Sequence, residues 1–210
     1  MSNRSSLFLL LLVALACRVS AQTTAVQVQV YDYADLRPST LHQFAALTQD
    51  ILINAGISVK IEACARGVQG SCATQTSNAR RLVVRVVAGA AKRMSNVRWP
   101  PLGQSFVDSE GGTYASVFVA TVHDQAAAAN VPWVIVLAYA AAHEIGHLLL
   151  GNQAHTLRGL MKAHWDSTDY QAMNQNHFHF SSEQTRELVS RYGAVRPIAI
   201  GSDTALELSY

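Results

Sequence analysis

The sequence predicts an α/β domain in which helices pack in layers against a sheet. One observation behind this is that apolar residues alternate with polar ones in short stretches, as in strands with one buried face. The other is that two longer stretches carry apolar residues at helical spacing, and each ends at a glycine. With 210 residues, half of them apolar, the chain is long enough for one sizeable core.

The first half of the chain supplies one predicted helix between strands. Residues 26–31 alternate between valine and polar side chains and predict the first strand. Pro38 begins a helix, and Gly56 ends it. Further strands are predicted at 57–61 and 82–87. The second of these is more continuously apolar, so we expect it at the centre of the sheet.

The second half of the chain is predicted to hold one more strand and two helices. A loop rich in proline and glycine spans 99–112, and a fourth strand follows at 113–119. Residues 126–130 are predicted to form a short alanine-rich linker or a turn of helix. Helices are predicted at 133–150 and 181–192, the latter capped by a serine.

The predicted helix at 133–150 is apolar nearly all round, which fits either a membrane span or a helix buried in a protein core. His143, Glu144 and His147 lie within it, and these side chains are costly in hydrocarbon. No further candidate span accompanies it. We therefore expect a core helix and no membrane span in the mature chain.

Residues 1–21 have the pattern of a secretory signal peptide. Arg4 provides a positive start, 7–16 form a short apolar run, and 19–21 are suitable for cleavage. The alternative is a lipoprotein signal, with lipid attached to Cys17. Either reading predicts a secreted or periplasmic protein.

Three units follow from this reading: a signal peptide at 1–21, a globular domain at 22–196, and a weakly specified tail at 197–210. Removal of the signal takes away two of 16 basic residues and leaves 14, equal to the 14 acidic ones. The mature chain is formally neutral. Its charge therefore gives no support for nucleic-acid binding.

Two cysteines remain after the predicted signal, Cys64 and Cys72, in a segment rich in glycine and serine. In an oxidising compartment such a pair predicts a disulfide. Closing so short a loop is worth about 2–3 kcal/mol in the chain-entropy model. The alternative is two free thiols.

The run His143-Glu144-Ile145-Gly146-His147 carries the strongest chemical signal. On a helix, two histidines four residues apart point from one face and can bind one metal ion. Neutral imidazole is a good zinc ligand, and two such ligands leave room for a third and a water. Glu144 is placed to act as general base on that water. The run therefore predicts hydrolysis at a zinc ion.

The third zinc ligand is less determined by the sequence. His155 follows a glycine turn after the helix and is the favoured candidate. Competing candidates are His164, His177, His179 and, ahead of the helix, His123. His177 and His179 flank a phenylalanine, which also fits an exposed polar face of an extended segment.

The stretch 143–161 resembles the active-site region of the metzincins, zinc endopeptidases with the pattern H-E-x-x-H-x-x-G-x-x-H and a downstream methionine turn. The resemblance implies the following roles: zinc ligands His143, His147 and His155, general base Glu144, and turn methionine Met161. The spacing departs from the pattern. Here the glycine stands four residues after the second histidine and the third histidine eight after it, so two extra residues lie between ligands.

Residues 26–195 are also similar to a group of predicted secreted bacterial proteins with the run A-H-E-x-G-H-L-L-L-G-x-x-x-H and a downstream G-x-M. Both resemblances imply a metzincin-like zincin domain, with a twisted mixed sheet and an edge strand over the active-site helix. That role falls on 113–119, which would pair with an extended peptide substrate. The alternative is an ordinary amphipathic strand. Tyr114 and Tyr170 are candidates to stabilise an oxyanion.

The implied function is that of a secreted, zinc-dependent endopeptidase that acts on peptide or protein substrates. One alternative is an inactive metal-binding protein of the same fold. Another is a zinc amidase that hydrolyses non-peptide amides, for instance in cell-wall material.

Overall fold

A computed structural model describes residues 25–64, 72, 78–89 and 100–193. The predicted signal at 1–21 and tail at 197–210 lie outside the described residues. In chain order the elements are β1 (Val26–Tyr33), α1 (Pro38–Asn54), β2 (Val59–Cys64), β3 (Arg80–Val87), β4 (Gly103–Asp108), β5 (Gly111–Phe118), α2 (Val119–Ala129), α3 (Trp133–Leu150), α4 (Ser167–Asn174) and α5 (Ser182–Tyr192).

The strands form one five-stranded sheet in the order β2-β1-β3-β5-β4. The first four run parallel, and β4 pairs antiparallel with β5 at the edge. β3 lies at the centre, as its apolar sequence predicts. The fold class is the predicted α/β arrangement with a mixed sheet.

The core lies between one face of this sheet and the helices α1 and α3. Alternate residues of β1 and β3, among them Val28 and Val84, are fully buried there. Among the described residues, α3 is the one helix long and apolar enough to cross a membrane, and 78% of it is buried inside the domain. The prediction of a core helix is confirmed.

Two predictions for the second half of the chain are wrong. Part of the predicted loop at 99–112 is strand β4, and the strand predicted at 113–119 as the edge strand lies inside the sheet, between β3 and β4. The exposure of β4 residues alternates along the strand, but most of these residues are polar or glycine. The sequence therefore shows no apolar alternation there. Edge strands need no second buried face, so their apolar signal is weak.

Two helices also differ from the prediction. Residues 126–129 are helical, as one of the two alternatives predicts, but they are the last part of α2, a longer helix that begins directly after β5. α4 was not predicted at all. It begins with Asp166 as its N-cap, and the side chain of Asp169 completes a capping box.

The predicted disulfide is present. Cys64 ends β2 and is bonded to Cys72, with 5.5 Å between their Cα atoms.

The turn between β4 and β5 packs against the end of α3. Gly111 has φ +115°, and a Cβ there would lie 2.4 Å from the carbonyl oxygen of Leu148. Gly151, which ends α3, has φ +93°, and a Cβ there would lie 2.7 Å from the carbonyl oxygen of Ser109. Both glycines permit contacts that a side chain would prevent. The edge strand is thereby fixed beside α3.

Candidate metal centre

His143 and His147 lie one turn apart on α3, with 3.2 Å between their Nε2 atoms. The Nδ1 of His143 lies 2.8 Å from the carbonyl oxygen of Leu160, and the Nδ1 of His147 lies 3.3 Å from that of Gly151. A carbonyl only accepts hydrogen bonds, so both rings carry their proton on Nδ1. Each Nε2 is left with a free lone pair.

The loop after α3 returns His155 to the same point. Its Nε2 lies 3.1 Å from the Nε2 of His147, and the ligand atoms of the three histidines all lie within 4.8 Å of one another. His155 is exposed, whereas His147 is only 7% exposed. The cluster therefore sits at the boundary between the core and solvent.

The separations of the His147 nitrogen from those of His143 and His155 fit a bound zinc ion. At zinc–nitrogen distances of about 2.0–2.1 Å, tetrahedral ligands lie about 3.4 Å apart. The observed 3.1 Å and 3.2 Å separations are close to that spacing. Two Nε2 lone pairs directed at each other repel unless a cation lies between them. The carbonyl partners of His143 and His147 hold the rings in the tautomer that a metal requires.

Burial keeps these rings neutral, which is the state that binds metal. Burial lowers the pKa of His143 to about 3, against the opposing hydrogen bond to Leu160. Burial likewise lowers the pKa of His147. Partial burial also lowers the pKa of His155, although it is the most exposed of the three histidines.

Glu144 lies beside the histidines and is 7% exposed. The edge strand β4 covers it: a Cβ at Gly103 would lie 2.7 Å from its Oε1, and Ser105 hydrogen-bonds to the carboxylate. Burial raises the pKa of Glu144 to about 7, and the hydrogen bond from Ser105 opposes that rise. A carboxyl with such a pKa can both accept and return a proton near neutral pH.

Met161 packs against α3 between the two helical histidines, at Gly146, and is fully buried. A Cβ at Gly146 would lie 2.5 Å from its sulfur, so the glycine allows the methionine to reach the helix. Trp165 closes the adjacent side: its Nε1 donates to the carbonyl oxygen of Leu160 at 3.2 Å, and its ring packs edge-on against His143.

A cavity of about 380 Å³ opens at the cluster. Its walls combine the histidines and Glu144 with apolar side chains from the segment before β4 and from the region around Trp165. Tyr170 lines it, and its hydroxyl donates to the side chain of Gln125. Tyr114 is not among the lining residues; its hydroxyl accepts a hydrogen bond from the guanidinium group of Arg85.

The other candidate histidines do not join the cluster. His164 is exposed and lines the cavity. His177 and His179 are exposed on either side of buried Phe178, which matches the alternative of a polar face. His123 is exposed and stacks on Trp133, with ring centroids 4.2 Å apart.

Three residues at the site escaped sequence reasoning. Gly103 and Ser105 were missed because β4 was not recognised, although a glycine within a strand can indicate close backbone approach. Trp165 had no signal in the sequence, because its role depends on how the loop after α3 folds back.

No profile of a known protein family matches the chain, and no curated protein matches it. Among solved structures, the chain is similar to archaemetzincin from Methanopyrus kandleri. The two are 12% identical, the TM-score is 0.51, and the match covers 82% of this chain and 98% of that one. The likeness shows that the chain has a metzincin-like zincin fold.

Proposed function

We propose that the chain is a zinc-dependent endopeptidase in which His143, His147 and His155 bind the metal and Glu144 is the general base. The observation that carries the proposal is the convergence of three Nε2 atoms beside a buried carboxylate. The metzincin-like fold supports it, because the archaemetzincin match spans nearly the whole of that protein.

Zinc held by the three histidines would supply an acidified water and polarise the carbonyl to be cleaved. Glu144 accepts a proton from the attacking water and returns it to the leaving amine. Its carboxylate is held beside β4 by Ser105, so the proton moves at a fixed position. Met161 packs against the histidine-bearing helix at Gly146.

We place the substrate backbone along β4, the last strand of the sheet, in the role first given to 113–119. An edge strand presents backbone groups to which an extended peptide can add as a further strand. β4 also carries Ser105 and Gly103, which contact Glu144. A peptide paired to β4 would therefore pass close to the base.

We also propose that the protein is exported, to the outside or the periplasm, and is related to the group of secreted bacterial proteins described above. The signal-like pattern at 1–21 supports this proposal, with lipid attachment at Cys17 as its variant. The Cys64–Cys72 disulfide is of the kind that persists in oxidising compartments.

Metal analysis tests the site. The purified protein should bind one zinc ion per chain, and His155→Ala should weaken binding. His164→Ala serves as the matched control, because His164 lies in the same cavity but outside the cluster. A stoichiometry well below one, or an equal loss in both variants, would contradict the ligand assignment.

Cleavage of a mixed peptide library tests the activity. Glu144→Gln should abolish zinc-dependent cleavage and retain zinc. Glu183→Gln, at an exposed glutamate on α5, should leave cleavage unchanged. Zinc binding without peptide cleavage, but with Glu144-dependent release of amines from cell-wall fragments, would favour the amidase alternative; no turnover of either would favour the inactive one.

A further inference from the structure

The loop between the second and third histidines contains two residues more than the metzincin pattern. A longer loop has more freedom, so the position of His155 at its end depends on contacts that hold the loop backbone. On the C-terminal side of His155, the backbone N–H of Thr156 donates to the carbonyl oxygen of Met161 at 3.0 Å. On the N-terminal side, the carbonyl oxygen of Ala154 accepts from Nε2 of Gln184 at 2.7 Å. Gln184 thus contacts the residue directly before the third histidine.

Gln184 is a buried polar residue, only 6% exposed, in the first turn of α5. Its Oε1 accepts a hydrogen bond from the backbone N–H of Ser181 at 3.2 Å. The backbone N–H of Gln184 in turn donates to Oγ of Ser181 at 3.2 Å. The two polar atoms of this side chain therefore have different partners. The amide oxygen completes the capping box of α5, and the amide nitrogen holds the loop.

The presence of glutamine rather than glutamate at position 184 indicates that the amide nitrogen has a role. A capping box accepts either residue at this position, because only the side-chain oxygen takes part. An ionised glutamate could not donate to the carbonyl of Ala154 and would place a second acceptor against it. The cap alone does not require the amide nitrogen, whereas the loop does.

We propose that Gln184 is a positioning residue for the metal centre, which holds His155 within reach of His143 and His147 through the backbone of Ala154. The inference rests on the proposed metal site. His155 is exposed, and its ring lies against those of His143 and His147. These contacts depend on where the backbone of the loop is held. Without the amide donor, the buried carbonyl loses its partner and the loop relaxes away from the cluster.

The test uses Co²⁺ as the metal probe, because its visible absorption spectrum reports the number and geometry of ligands. Gln184→Glu keeps the capping box and removes the donor to the loop. We expect it to bind Co²⁺ at least about ten-fold more weakly than wild type, with an altered spectrum. Gln184→Met provides a second variant without the donor and without a buried charge.

Ser181→Ala is the matched control, since it removes the hydroxyl of the cap and leaves the bond from Gln184 to Ala154 possible. It should lower the unfolding temperature but preserve Co²⁺ affinity and spectrum. Wild-type affinity and spectrum in a folded Gln184 variant would overturn the inference. So would an equal loss in Ser181→Ala, or failure of both Gln184 variants to fold, because Gln184 would then support α5 or the whole domain.

Failure of the metal site itself looks different. If wild type binds no Co²⁺, or if His155→Ala binds it as tightly as wild type, the proposed ligand set is wrong. If His155→Ala weakens binding and Gln184→Glu does not, only the positioning role is wrong.

Discussion

Gly103 on the edge strand allows close contact with Glu144, and its replacement by alanine would separate the effect on the base from any effect on the metal. A Cβ at this position would lie 2.6 Å from Cγ, 2.7 Å from Oε1 and 2.9 Å from Cδ of Glu144. The three nearest atoms to this Cβ all belong to Glu144. The added methyl group therefore acts first on the carboxylate side chain.

The size of the effect follows from these distances. Ordinary contact begins at 3.4 Å, so Oε1 must retreat by about 0.7 Å or β4 must move by as much. A misplacement of about 1 Å in a reacting group can cost roughly 100-fold in rate. We expect Gly103→Ala to lower kcat for peptide cleavage by roughly 10- to 100-fold. Overpacking should cost at most about 1–3 kcal/mol of stability, partly offset by the lower entropy loss of alanine.

Three measurements show whether the added methyl group affects the base, the metal site or the stability of the protein: peptide cleavage, zinc affinity and urea unfolding. Gly89→Ala is the matched control, because a Cβ there meets nothing within 4 Å among the described residues. Gly103→Ala should lose kcat and keep zinc affinity, and Gly89→Ala should keep both.

A Gly103→Ala protein with wild-type kcat would refute the reasoning, because catalysis would then not depend on the position of Glu144 beside β4. A parallel fall in zinc affinity would also refute it, since the methyl group would then disturb the histidines rather than the base.

Three further predictions concern stability, each read from urea unfolding. Met161 is fully buried, so Met161→Ala should destabilise the protein by about 2–5 kcal/mol and Met161→Leu by less than about 1.5; similar values for both would contradict close packing there. Replacing Cys64 and Cys72 by serine should cost about 2–3 kcal/mol, as should reduction of the wild type, and an unchanged midpoint would show that the bond adds nothing. Burial raises the pKa of Glu144 from 4.5 to about 7, so the unfolded state releases this proton first and Glu144 contributes a loss of stability as pH rises from about 4.5 to about 7. The lowered pKa values of the three histidines act in the opposite direction, so the contribution of Glu144 is read from the difference between metal-free wild type and Glu144→Gln. Metal-free Glu144→Gln should lack this loss and be the more stable protein at pH 8, by up to about 3 kcal/mol; parallel pH profiles would contradict a buried, proton-binding carboxyl.

Several features of the fold could be predicted because their signals are local. The helix α3 is predicted from its apolar composition with a proline before it and a glycine after it, and the structure gives Trp133–Leu150. The serine before α5 is likewise its N-cap. Periodicity and end signals act within one or two turns, so they remain visible without any tertiary contact.

The edge strand shows where such reasoning fails. β4 has no continuous apolar face, and its identity depends on pairing with β5 and on packing of the turn against α3. The segment that the sequence suggests as the edge strand, 113–119, is more apolar because Ala115 and Val117 are buried in the core, and it lies between β3 and β4 in the sheet. Whether a strand lies at the edge or in the interior of a sheet is decided only when the strands have paired.

The sequence by itself determined that His143, Glu144 and His147 share one stretch of a buried helix, because the period of the α-helix fixes their relation. It left the third histidine open among several, since residues in loops have no such fixed relation. Only the tertiary structure brought His155 to the other two, through the turn at Gly151 and the bond from Gln184 to the loop. The same packing placed β4 over Glu144, and contacts between residues far apart in sequence leave no local pattern from which they can be read.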